Sequence, residues 1–234
     1  MRTLWIGFAS LAALGACGTE SSDSLLTSGM SAEMTVSVDE SGAPAVAVEL
    51  FDGDPGQLIF VDLAQGDSLI ATAGTDMMTL QKEQLATIVE YSAQFPASDA
   101  TETFTVALQR SLDAGAPASG ANIPDAFALD PVATSQSRAA DLVVTWSPSD
   151  SDVMTWDVEG TCIQGASGMI QGDPGTLTIA ASTLVKAAGN GVADSCQVTL
   201  TILRQHAGVL DSHFGHGGSI VGEQIRSATF TSTP

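Results

Sequence analysis

Apolar residues fall on every second position through most of this chain, and that period admits few folds. In TETFTVALQR, Phe104, Val106 and Leu108 share one face, with Thr103, Thr105 and Gln109 on the other. DLVVTW repeats the pattern with Leu142, Val144 and Trp146, and MTWDVEG with Met154, Trp156 and Val158. CQVTLTILR aligns Val198, Leu200 and Ile202. Successive side chains of an extended chain point to opposite faces, whereas a helix places its apolar residues three and four apart. Short alternating runs between Gly, Pro, Asp and Ser turns predict antiparallel sheets with one buried face. TLQKEQLATIVEY is the best helical candidate, and its β-branched end reads equally well as a strand. The expected class is all-β, an antiparallel β-sandwich.

Two features hint at a duplication. GDPGQLIF from Gly53 and GDPGTLTI from Gly172 each place a Pro-Gly turn before an alternating strand. FTVALQR and VTLTILR close such strands with Arg110 and Arg204. The spacing between the two motifs differs in the two halves, so common turn chemistry accounts for the echo nearly as well. ALDPVATSQSRAAD, polar and carrying a Pro, suits a domain junction near residue 135. The expected organisation is one sandwich over 34–135 and a second over 136–234. In size and strand number these resemble two tandem immunoglobulin-like domains. The second half predicts strands at 141–147, 153–160, 175–180, 196–205 and 219–231, with Trp146 and Trp156 facing inwards. Both Cys162 and Cys196 follow the Trp residues instead of flanking them, a departure from the immunoglobulin pattern. A single continuous sandwich or a jelly roll is the rival arrangement.

The chain opens MRTLWIGFASLAALGACGTESSDS. Arg2 precedes an apolar run of about 11 residues, the length of a signal-peptide core and too short to span a bilayer as a helix. Leu14, Gly15, Ala16 and Cys17 then follow. This resembles the lipobox of bacterial lipoproteins, in which Leu, a small residue and Ala or Gly precede the modified Cys. The resemblance implies a lipoprotein signal peptide over 1–16 and a diacylglyceryl group on Cys17. Gly18 stands where an Asp would retain such a protein in the inner membrane, so the resemblance implies the outer membrane. Residues 17–33, polar and rich in Ser, Gly and Thr, are expected to be a flexible tether.

With 7 basic residues against 27 acidic ones the chain carries a net charge of −20. Nucleic acid and anionic lipid head groups are poor partners for such a surface. Solubility, a saline habitat or divalent cations would suit it. Of three cysteines, Cys17 is assigned to the lipid, and an exported chain makes a disulfide between Cys162 and Cys196 the default.

Candidate sites are few. His206, His213 and His216 fall close together with Asp211, and imidazole and carboxylate are suitable zinc ligands. The bland reading is a hairpin loop in solvent. LDSHFGHGG also resembles the repeat signature of certain bacterial β-propellers, but it occurs once, and a propeller needs several blades. It is therefore read as a turn, with Phe214 plugging a hairpin end and glycines at positive φ. Asp52, Asp54 and Asp173 lie at Asp-Pro-Gly turns, which read either as carboxylates and carbonyls gathered for calcium or as plain turns formed by Pro and Gly. Asp150 and Asp152 form a further acidic turn. Arg110 and Arg204 are read as structural ion-pair partners, with anion binding as the alternative.

No GxSxG, SxxK or CxxC motif is present. The leading expectation is a non-catalytic envelope lipoprotein whose sandwiches bind a protein or polysaccharide or serve envelope architecture. The alternative is a metal-assisted or carboxylate hydrolase acting on envelope or extracellular polymers.

Overall fold

The computed structural model describes residues 18–55 and 59–234. The signal peptide expected over 1–16 and the lipid site expected at Cys17 lie outside them. Eighteen strands, three short 3₁₀ turns and no α-helix occur among the described residues. The first ten strands are β1 (Gly18–Ser21), β2 (Met30–Val38), β3 (Ala45–Asp52), β4 (Ile59–Asp62), β5 (Ser68–Ala73), β6 (Asp76–Thr79), β7 (Gln81–Leu85), β8 (Ile88–Gln94), β9 (Thr103–Gln109) and β10 (Ala116–Asn122). The remainder are β11 (Ala128–Leu129), β12 (Ser135–Ser137), β13 (Leu142–Ser147), β14 (Val153–Gly160), β15 (Ala166–Ile170), β16 (Thr176–Ile179), β17 (Cys196–Ala207) and β18 (Gly218–Thr233).

The expected all-β sandwich is what the chain forms. Its main sheet has eleven strands, running β1-β4-β3-β2-β18-β17-β14-β15, with β8 beside β3, β7 beside β8 and β12 beside β18. A four-stranded sheet, β10-β9-β5-β6, and a three-stranded sheet, β11-β13-β16, accompany it. Each smaller sheet shares one hydrophobic core with part of the main sheet. Phe104, Val106 and Leu108 of β9 meet Met34, Val36, Val48 and Leu50 of β2 and β3 in the first core. Leu142, Val144 and Trp146 of β13 meet Met154, Val158, Leu200 and Ile202 in the second. In β9 and β13 alternate residues are buried, so the period-two pattern is the pattern of contact with the main sheet. Each such Val, Leu or Phe removed from water contributes about 1.5–3 kcal/mol.

Strand β18 belongs to both cores. Its first half pairs in parallel with β2, from Gly218 opposite Ala32 to Gln224 opposite Val38. On its other edge it pairs antiparallel with β17 over nearly its whole length. Ile220 lies in the first core and Phe230 in the second. Two glycines make this central position accessible. Gly218 has φ of 119°, and a Cβ there would fall 2.0 Å from the Ala32 carbonyl oxygen. At Gly222 a Cβ would fall 1.9 Å from the Asn122 carbonyl oxygen, where β10 crosses the strand.

One open reading is resolved and one expectation is corrected. TLQKEQLATIVEY forms no helix. Its chain reverses at Ala86 and Thr87 to pair β7 with β8, and Ala86 takes a left-handed φ of 56°. Residues 18–29, expected within the flexible tether of 17–33, are folded. Here β1 pairs in parallel with β4, and 3₁₀ turns follow at Ser22–Ser24 and Thr27–Gly29. Composition alone misjudges this stretch, because its order comes from polar contacts to residues far along the chain.

Candidate functional site

Those contacts centre on Arg110, at the end of β9. Its guanidinium pairs with Asp67 at 2.7 Å, the two side chains being 1% and 2% exposed. It also donates to the carbonyls of Ser22 and Leu25 and to the Thr27 hydroxyl. Asp67 in turn accepts from the Ser22 hydroxyl at 2.7 Å and from the Ser111 N–H at 2.7 Å. Asp113 accepts the Thr27 N–H at 2.7 Å. Burial pushes the Asp67 carboxyl upwards. The Ser111 N–H, the Ser22 and Ser111 hydroxyls and Arg110 outweigh it and hold the group below the usual carboxylate range. The segment leading away from the candidate lipid attachment point is thus clamped to the first core by a buried cation. Of this clasp, the sequence reading named only Arg110, as an ion-pair partner. Asp67, Ser22 and Thr27 carry no local signal, since their partners lie tens of residues away.

Beside the clasp, Tyr91 of β8 accepts the Leu63 N–H at 2.7 Å and ties the β7–β8 hairpin to the end of β4. Burial pushes its phenol up to about 12, and the Asp62 charge adds to the rise. Lys82 of β7 reaches Asp62 at 2.8 Å. At the hairpin tip, the Thr19 hydroxyl donates to the Thr87 carbonyl at 3.4 Å.

The four residues expected as zinc ligands are not brought together. His206, at the end of β17, sits 3.0 Å from Asp152. His213 sits 2.7 Å from Asp211, and His216 sits 2.7 Å from Asp54. Each imidazole faces a carboxylate of its own, and no group of three or more His, Cys, Asp or Glu able to hold a metal occurs among the described residues. Asp211 acts as a loop anchor. It accepts the Ala118 N–H at 2.7 Å and the His213 N–H at 2.9 Å. Burial raises its carboxyl, but those N–H groups and the His213 ring prevail and lower it overall. Phe214 is buried in the first core, and Gly217 and Gly218 have positive φ, as the turn reading expects.

The three aspartates expected as calcium ligands are likewise dispersed. Asp52 ends β3 opposite Met30, and Asp54 meets His216. Asp173 is buried in the second half, where it pairs with Arg204 and accepts from Trp146 Nε1 at 2.6 Å and the Asp150 N–H at 2.8 Å. Arg204 also donates to the carbonyls of Asp125 and Pro148 and lies over the Phe127 ring, 4.7 Å from its centroid. The structural ion-pair reading of both arginines holds. Cys162 and Cys196 form the expected disulfide.

No family model matches the chain, and no curated protein matches it. Among solved structures, it is similar to the Bacteroides ovatus mixed-linkage glucan utilization locus protein SGBP-B, solved in complex with a mixed-linkage heptasaccharide. The identity is 10% and the TM-score 0.22, over 82% of this chain and 54% of that one, so the chain spans about half of that protein's length. It is also similar to the IG1+IG2 region of DIP-gamma, at 6% identity and a TM-score of 0.23, over 86% of this chain and 95% of that one. Likenesses of this size carry no argument about activity or ligand.

Proposed function

We propose that this chain is a bacterial envelope lipoprotein, held to the outer membrane through Cys17, whose β-sandwich has a binding or structural role. The observation that carries the proposal is the assignment of the cysteines. Cys162 and Cys196 pair with each other, a bond typical of exported proteins, which leaves Cys17 alone at the lipobox position. Gly18 after Cys17 supports the outer membrane as the destination. A protein or polysaccharide partner suits the exposed acidic sandwich, while nucleic acid does not.

The test is the mass of the purified protein together with its fractionation. Cleavage before Cys17, an added diacylglyceryl group and release of Cys17→Ser from membranes are the expected results. An unlipidated wild-type chain that fractionates as Cys17→Ser does would overturn the proposal.

A further inference from the structure

The β7–β8 hairpin presents an apolar tip next to the place where the folded chain begins. Leu85 and Ile88 face each other at the last position of the β7–β8 ladder and are 77% and 45% exposed. A single exposed Leu means little. Here, however, every residue of β7 is exposed, while Val89 and Tyr91 of β8 hold the inner strand in the first core, so the tip is an exposed edge on a fixed base. The Thr19–Thr87 hydrogen bond sets the tip level with the start of β1. Lys82, reaching Asp62 opposite Ser21, sits further back along the same hairpin. The tip therefore lies at the end of the fold where the described chain begins.

We infer that Leu85 and Ile88 form a membrane-contact tip that enters the surface of the bilayer beside the lipid on Cys17. This rests on the lipoprotein reading above. One residue of extended chain spans at most about 3.6 Å, so a lipid on the residue preceding Gly18 brings the bilayer surface close to that glycine. The clasp of Arg110 on residues 22–27 removes the slack that a tether would have supplied. A tip level with Thr19 must then meet the same surface. Charge limits how far it enters. Glu83 and Glu90 oppose each other two positions back from Leu85 and Ile88, about 7 Å along the strands. Those carboxylates remain in water while the two apolar side chains reach the interface. The acidic net charge selects zwitterionic over anionic lipid.

The test uses the mature lipidated protein in phosphatidylcholine liposomes, with a nitroxide on Leu85→Cys and, separately, on Ile88→Cys. Both positions are exposed, so the fold tolerates the label. Labels at Val143→Cys and Leu112→Cys serve as references, Leu112 being the exposed apolar residue beside the far end of the clasped segment. On liposomes the labels at 85 and 88 are expected to lose accessibility to a water-soluble nickel reagent and gain accessibility to oxygen, with Val143 and Leu112 unchanged. Protein that carries the lipid and floats with the liposomes, yet keeps both tip labels as water-accessible as Val143, overturns the contact alone. Loss of accessibility at Leu112 in place of 85 and 88 overturns it too. A chain without lipid on Cys17 overturns the anchor and the contact together.

Discussion

Arg204 and Asp173 form an ion pair with both side chains wholly withdrawn from solvent. Removing two charges from water is costly, and the pair survives because each end has further partners: Trp146 and Asp150 on the carboxylate, two carbonyls and the Phe127 face on the guanidinium. Asp173→Ala leaves a buried cation without its anion. The expected loss is about 3–5 kcal/mol of unfolding free energy by denaturant titration. Arg204→Met combined with Asp173→Ala should lose less than the sum of the single changes, because neither charge is then stranded.

Arg110→Met should loosen one end of the molecule without dissolving it. Hydrogen exchange of amides 18–29 is expected to accelerate while those of β5 and β9 stay protected. Uniform protection across both regions would show that the clasp is not what holds the segment.

Acid should open the same clasp in the wild type. The Asp67 carboxyl titrates below its unfolded value, so its contribution is complete at neutral pH and falls away as pH drops through the folded value. Protection of amides 18–29, taken relative to the intrinsic exchange rate at each pH, should therefore fall in acid. The pH dependence should shrink in Asp67→Asn, whose side chain does not titrate.

Glu49 behaves in the opposite sense. Burial raises its carboxyl, and the nearby charges of Glu90 and Glu33 raise it further. With the folded value above the unfolded one, ionisation weighs against folding, and stability is lost as pH rises through the folded value. Glu49→Gln is expected to raise the melting temperature at neutral pH, with the gain vanishing in acid.

Gly222→Ala tests the crossing of β10 over β18. A methyl group there collides with the Asn122 backbone, which cannot swing aside as a side chain would. A loss of about 1–3 kcal/mol is expected, visible as a lowered denaturation midpoint.

Much of the sandwich was legible in the sequence, for a definite reason. Leu142, Val144 and Trp146 alternate because one face of β13 packs on a core, so the pattern records a contact made by neighbouring residues. The strands expected at 153–160 and 196–205 are found at Val153–Gly160 and Cys196–Ala207. What failed depended on partners distant in the chain. SSDSLLTSG has the composition of a linker and is ordered by Arg110, whose side chain the local sequence does not contain. The three histidines are neighbours in sequence, yet β17 and the following loop direct them to Asp152, Asp211 and Asp54. The row of Glu33 opposite Glu49, and Glu83 opposite Glu90, follows from strand register, which alternation alone does not specify.

The position of β18 sets a schedule for the nascent chain. β2 leaves the ribosome early, but the edge it pairs with in parallel is made only after the other seventeen strands. Ile220 and Phe230 ride on that late strand, so each core lacks a wall until it arrives. Before then the edges of β2 and β17 stand open, a hazard if the chain lingers half-made in the presence of others. On the export route proposed above the same delay is useful: a thread that cannot close its cores before β18 is synthesised can still pass through a translocation pore.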